Sequence, residues 1–525
     1  MQPLKIWEEK IKKKRYQSSF RDFLQDIASN IPFVLYKMPF GISRFPPTER
    51  IKIFNNLEYE KDRDTLIKRG NDYDFEINFF QNYKNLIDKI GVAATMQDPK
   101  GENITYGEAV RFSKNVYLSF IVIKSCENIF YTFYSQEECK NVFNSVMVWD
   151  HSEIIYFSTA ILKSYKIFYS RYIVNSNNIW FSSNLIGCSE CIFCDNLHNQ
   201  KYCIKNKEYK KEEYFLKKEE ILKEKHNFQD YYNRVNKKAE NISSENVSGN
   251  FCVYSENVEN GYFCYRLQNA RNAFFVGHSN GRKNVLDTIC SDDPGFGDLY
   301  GCSNMGSAEN CYLSNCFIGS NLFYCYDLLD CHHCIGCISL RNKSFCILNK
   351  EYSKEEWYDL AHKIFASMEK DKILGEVFPA SMNPLYFNDT LAHLFGDFKK
   401  DEIVEKGFMW RDEKIKVDIP EDAEVVYVKK TPVLSDILEN TPPARSSLPP
   451  QLRGTQGGVL LEYQGFDENG VWQINPEILK KVIIDKNGDY YKIISQEYDF
   501  LMKYGLPLPE IHWLERIRLG LKNNL

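Results

Sequence analysis

A chain of 525 residues with a net charge of −5 has room for several modules, and its balance excludes a strongly basic nucleic-acid surface at the level of the whole chain. No apolar run reaches membrane-spanning length and no secretory leader opens the sequence, so a cytoplasmic location without membrane insertion is expected. All 17 cysteines lie between Cys126 and Cys346, and an odd total in a long intracellular chain argues against a disulfide framework.

Residues 1–60 read as a small N-terminal helical module. A helix should end before Pro32, an irregular Pro-rich crossing follows, and a second helix should start at Thr48, a cap placed after two prolines. Residues 61–103 read as a helical cap. Phe79, Phe80, Tyr83, Leu86, Ile87 and Ile90 recur at helical spacing, with Asp72 and Asp74 ahead of the N-terminus. This helix is expected on the first open end of the repeat that follows, because a terminal coil has no neighbour.

Residues 104–209 form a first repeat block. Short hydrophobic cores start at Ile129, Val142, Ile155, Ile167, Ile179 and Ile192, and turn residues separate them. Each core runs branched residue, aromatic, then a small hydroxyl residue two positions later, as in Ile155-Tyr156…Ser158 and Ile167-Phe168…Ser170. Stacked in register, these make aliphatic, aromatic and serine columns. An asparagine stands just before the core at Asn128, Asn141, Asn178, Asn310 and Asn321, where left-handed turn geometry suits it. A coil with one core would be only about twelve residues long and could hardly enclose an aromatic column. Two cores per coil are therefore expected, with the thiols and rings lining the inside.

Residues 210–241 interrupt the rhythm with a helical insertion or cap. Residues 242–350 resume it with cores starting at Phe251, Tyr262, Ala273, Val285, Leu299, Cys311, Leu322, Cys334 and Phe345, and a capping helix is expected over 351–372. The two blocks look duplicated: Cys188, Cys191, Cys194 and Cys203 before IKNKEYKKEEY match Cys331, Cys334, Cys337 and Cys346 before ILNKEYSKEEW at one constant offset. The loop from Cys290 to Met305 holds Asp292, Asp293 and Asp298, with His278 upstream. They are the candidates for paired-carboxylate chemistry on a polysaccharide, set against a plain Gly/Asp/Pro turn cluster.

Residues 373–450 read as an irregular Pro-rich segment with a short helix around Thr390 to Leu394. Residues 451–525 read as a strand-rich region followed by a helical module. That module echoes the N-terminus: Asp22-Phe23-Leu24 pairs with Asp499-Phe500-Leu501, and Glu49-Arg50-Ile51 with Glu515-Arg516-Ile517. Arg50 and Lys52, with Arg516 and Arg518, are candidates for anion or nucleic-acid contact, and a solvated helix face is the competing reading.

The clusters Cys188-x2-Cys191-x2-Cys194 and Cys331-x2-Cys334-x2-Cys337 admit structural zinc, with Cys203 or Cys346 as fourth ligand and His332 and His333 nearby. The cysteines also fall in the phase of the repeat, which favours thiols as small core fillers and no cofactor. No phosphate-binding glycine loop, HExxH, GxSxG or EF-hand loop is present.

Taken together, YDFEINFFQNYKNL, the N-x-φ-φ cysteine cores, CIGCISLRNKSFCILNKEYSKEEW, EKGFMWRD and YKIISQEYDFLMKYGLPLPEIHWLERIRLGLKNN resemble an uncharacterised family of cysteine-rich repeat proteins from candidate-phylum bacteria with reduced genomes. Relatives carry paired zinc-ribbon cysteines beside the terminal modules, and these are missing here. The resemblance implies architecture and no activity. The expected fold is mainly β: two parallel β-solenoid blocks related by duplication, with capping helices and helical modules at both termini. The expected role is a non-enzymatic structural or interaction scaffold that self-associates or binds a protein partner. A polymer-processing enzyme using the 290–305 loop and a nucleic-acid-associated protein are the alternatives.

Overall fold

A left-handed residue at nearly every third position bends residues 103–206 into a four-sided coil. Asn141 (φ +55°), Asn144 (+53°), Met147 (+62°) and Asp150 (+52°) are the corners of one turn of it. The computed structural model in which this is seen describes residues 4–96, 101–238, 271–272, 299–300, 308–314, 316, 319–413, 419, 423–427 and 463–522. Each such corner costs a non-glycine residue about 1–2 kcal/mol, so the coil must recover that from stacking.

Lys140 pairs with Glu127 before it and Glu153 after it, and Glu153 pairs in turn with Tyr165. One core therefore makes one coil, and the expectation of two cores per coil is corrected. The lumen shows why so small a coil closes. Ile155 and Ile161 point in from two walls, and Ser158 and Ser164 from the other two, all of them buried. Large residues meet across one direction and small ones across the other. The rings never had to fit inside: Phe143, Tyr156, Phe168 and Trp180 face outward, in a cluster separate from the aliphatic lumen. The serine column is internal and polar-linked. Ser158 Oγ donates to Tyr156 O (2.8 Å) and accepts from Ser170 N (3.1 Å) one coil on, and Ser170 does the same with Phe168 O and Ser182 N. The lumen thereby keeps its hydroxyls satisfied.

The walls stack into an eight-stranded and a ten-stranded sheet, parallel except at the last strand. Their two ends differ. Lys201–Ile204 turns back antiparallel onto Lys207–Glu208, whereas Glu102–Thr105 is an exposed edge. A separate six-stranded sheet contains 299–300, 308–312, 319–323, 331–335, 344–347 and 350–351, again parallel until a final antiparallel strand.

Helices α1 (Lys5–Arg15), α2 (Phe20–Asp26), α3 (Asn56–Asp62) and α4 (Phe79–Ile90) precede the first coils; α5 (Lys211–Lys223) and α6 (Phe228–Arg234) follow them. After the six-stranded sheet come α7 (Lys354–Lys370), α8 (Leu391–Phe395), α9 (Lys400–Glu405), α10 (Ser495–Tyr504) and α11 (Trp513–Lys522). Ser19 and Ser353 start α2 and α7 with reciprocal capping boxes. Thr48 starts no helix. It lies just before a turn at Glu49 and Arg50, and α3 begins eight residues later where the Asn55 side chain accepts from Leu57 N. Nor does α4 sit on the first solenoid. Phe79, Phe80, Tyr83 and Leu86 pack with α1, α7 and the six-stranded sheet in one core. The first solenoid is instead wrapped by α2, α8 and α11 on one side and by α6 and residues 463–511 on its aromatic side. Among the described residues no helix is long and apolar enough to cross a membrane.

Candidate functional site

One cavity among the described residues lies where the N-terminal residues, α4, the six-stranded sheet and residues 377–408 meet, and it holds about 410 Å³. Its lining is mostly apolar, with Ile27, Phe45, Tyr83, Phe378 and Met382 around a polar floor. A space of that size with few polar groups has the character of a pocket for an apolar ligand or side chain.

The floor is Arg44. It follows the hairpin strand Gly41–Ser43, and its backbone N–H donates to Ala94 O. Its Nη1 donates to Glu108 Oε1 (2.7 Å) and its Nη2 to Asn30 O (3.1 Å), while Glu108 Oε2 accepts from Met96 N (3.1 Å). Burial pushes the Glu108 carboxyl up against the pull of Arg44. The pair ties the first solenoid coil to the N-terminal residues. Asp327 stands on the far side of Tyr326, gripped by Arg341 (2.8 Å), Ser339 (3.0 Å) and Arg63 (3.4 Å). Burial opposes its ionisation, but the two guanidiniums prevail and hold it below the usual carboxylate range.

Neither carboxylate is positioned for acid–base work, since the partners of each are fixed by packing. Ser314 and Cys325 in the wall are not primed for attack either. Ser314 Oγ donates to Tyr312 O and accepts from Cys325 N, and burial drives the Cys325 thiol well up.

Arg50 lies at the same cavity. Its Nη1 donates to Ala380 O (3.2 Å) and Asn383 O (3.0 Å), and its Nη2 to Gly407 O (3.0 Å), so its fork pins a crossing segment. Lys52 is exposed. Arg516 is buried beneath α11, with Nη1 on Glu497 Oε1 and Asn144 Oδ1 (both 2.8 Å) and Nε on Ile511 O (2.7 Å). Arg518 pairs with Glu515 (3.1 Å) and lies over the Phe33 ring. Arg50 thus meets the cavity lining and Arg516 the first solenoid. Asp292, Asp293, Asp298 and His278 lie outside the described residues.

The cysteine clusters are core. Cys188, Cys191, Cys194 and Cys203 are buried, as are Cys331, Cys334, Cys337 and Cys346, and all are free thiols. Each donates to the carbonyl two residues back, at 3.3–3.6 Å, from Cys194 to Ile192 O through to Cys203 to Lys201 O. The x2 spacing is the coil's own three-residue period, one thiol per wall. The zinc reading is overturned: among the described residues no group of three or more His, Cys, Asp or Glu side chains could hold a metal ion. Metal binding needs several thiolates converging on one point, whereas these sulfurs each lie against the carbonyl two residues back. His332 and His333 do not join them, for His332 bonds Ser320 Oγ and His333 stacks on Phe345.

Sequence reasoning missed the Arg44–Glu108 pair. The available signal was a glutamate in a strand, Glu108–Val110, whose other residues are apolar. Compared with family models, curated proteins and solved structures, the chain matches none.

Proposed function

We propose that the chain is a non-enzymatic scaffold whose β-solenoid offers one open edge strand of its first coil to a protein partner, in the first place a second copy of itself. The difference between its ends carries this reading. Glu102–Thr105 borders the ten-stranded sheet with its outer edge exposed, and the nearby Tyr106 and Phe112 are 42% and 51% exposed. The other end is closed by Lys207–Glu208, with α5 packed on the strand before it. An edge whose outer backbone groups have no strand partner among the described residues, beside exposed rings, favours pairing with another strand, and two such edges meeting about a two-fold axis make a closed dimer. Light scattering at rising concentration tests it. A dimer is expected, and Tyr106→Lys with Phe112→Glu should return the chain to a monomer of unchanged thermal stability. A wild type that stays monomeric at high concentration removes the reading.

We also infer that 242–350 duplicates 104–209. The hairpin Lys201–Ile204 and Lys207–Glu208 followed by a helix from Lys211 has a counterpart 143 residues on, in Ser344–Ile347, Lys350–Glu351 and a helix from Lys354. The left-handed corners Asn178, Phe181, Asn184 and Glu190 likewise correspond to Asn321, Tyr324, Asp327 and His333. Kinship with the cysteine-rich repeat proteins of candidate-phylum bacteria and a cytoplasmic location belong to the same reading. The nucleic-acid alternative is not favoured, because Arg50 and Arg516 are engaged within the fold. The polymer-processing alternative rests on residues outside those described.

A further inference from the structure

Arg171 breaks the outward column of one solenoid wall. That column runs Phe133, Val146, Thr159, Arg171, Ser183, Asp195, each paired with the next in register. Arg171 is 0% exposed, and none of Nε, Nη1 and Nη2 has a hydrogen-bond partner among the described residues. Arg44 and Arg516 are buried as deeply, but both hold a carboxylate. The Tyr232 ring of α6 covers one face of the Arg171 guanidinium, 4.4 Å from its centroid. Stacking of that kind fixes the plane and leaves the in-plane N–H fork unused. The hydroxyl of Thr159 on the adjoining strand is also buried, with no partner among the described residues. The carboxylate of Asp195, two strands along, is already held by Ser183 Oγ (2.7 Å) and Asn236 Nδ2 (2.8 Å). The chain crosses over this wall, with Lys237 O and Lys238 O accepting from Tyr172 and Asn184.

A guanidinium cannot shed its proton to escape burial, and an unpaired buried charge is among the costliest features a fold can carry. We propose that Arg171 and Thr159 form a latent site, opened only when the cover over this wall moves away, for one oxyanion group, a phosphate or a carboxylate, gripped by the guanidinium fork with the threonine hydroxyl as an added donor. The anion completes the wall, and it enters when residues 235–238 lift.

The full chain is dialysed into a chloride buffer, and thermal unfolding is followed with added inorganic phosphate or acetate at matched ionic strength. The wild-type midpoint should rise by about 2–4 °C at anion concentrations far above Kd, following the mass-action law. A rise with phosphate alone assigns the site to a phosphoryl group, and a rise with acetate as well admits carboxylates. Arg171→Met should abolish the rise and be no less stable than wild type in chloride, since it removes an unpaired charge. Arg171→Lys, which keeps the charge but loses the fork, should need at least tenfold more anion. The proposal is overturned if neither anion moves the wild-type midpoint and native mass spectrometry finds no retained anion, or if Arg171→Met loses the same stability in chloride and in phosphate.

Discussion

Two walls of the first solenoid share one backbone and meet opposite fates. On the aromatic wall Phe130 stacks on Phe143 at 4.7 Å and Phe168 on Trp180 at 4.2 Å, and Phe500 of α10 lies 4.4 Å from Phe143. On the charged wall Lys114 pairs with Glu127 at 3.1 Å, and Asn103, Asn115, Asn128 and Asn141 pass amide hydrogen bonds from coil to coil at 2.8–3.0 Å. Behind both walls the lumen is the same alternation of aliphatic and small residues. The inward residue closes the coil, and the outward residue decides whether the wall recruits distant chain or meets water. The aromatic wall has recruited residues 463–511 from the far end of the sequence.

The largest effects should come from the recruited side. Phe168→Ala removes a ring held between Trp180 and Tyr504 and should cost about 3–5 kcal/mol in urea unfolding. Arg516→Met strips Glu497 of its buried partner and should cost about 3–5 kcal/mol, much of it regained in the double variant Arg516→Met/Glu497→Leu, because it is the orphaned charge that destabilises. A double variant no more stable than the single one would mean that packing, not charge, holds α11 down. In the lumen the effect shrinks. Ser170→Ala leaves Ser182 N–H without its acceptor and should cost about 1–3 kcal/mol. Ser170→Cys should recover part of that loss, since Cys194 already occupies the same column.

The recruited segment also carries a proton switch in stability. Burial, with Arg516 and Arg518 nearby, lowers the His512 pKa to about 4. The unfolded chain takes up a proton near pH 6.5 and the folded one does not until about pH 4, so the His512 contribution is intact above pH 6.5 and is lost as pH falls between those values. The slope is at most about 1.4 kcal/mol per pH unit. Urea midpoints at pH 7 and pH 5 should differ less in His512→Gln than in wild type. Equal differences would assign the acid sensitivity elsewhere.

Much of this was legible in the residues. The spacing of Ile155, Ile167 and Ile179 and the asparagine before several of the cores follow from the coil, whereas the core start read at Ile192 is one residue late, since Cys191 is what pairs with Ile179. The length of the coil did not follow, because a twelve-residue ring looks too small until every third residue is allowed to be left-handed. Side chains such as Tyr169, Ile154 and Lys166 adopt that conformation here, although their types give no hint of it. The direction of the rings was misread for the same reason: with one core per coil, an aromatic next to an inward aliphatic must point out. The cavity floor was illegible because Arg44 and Glu108 are 64 residues apart and no local pattern joins them.

The smallest effect belongs to the open wall and separates two roles of one asparagine. Asn128 occupies a left-handed corner at φ +59°, and its amide links Asn115 to Asn141. Glycine keeps the backbone and removes the amide, whereas alanine removes both the amide and the ease of that φ. Asn128→Gly should therefore cost only about 0.5–1 kcal/mol, the worth of a half-exposed hydrogen-bonded link. Asn128→Ala should cost about 1 kcal/mol more, the left-handed penalty for a Cβ. If the two variants lose equally, the amide ladder alone stabilises this wall, and its corners would be held by the stacked backbone with no help from the residue that occupies them.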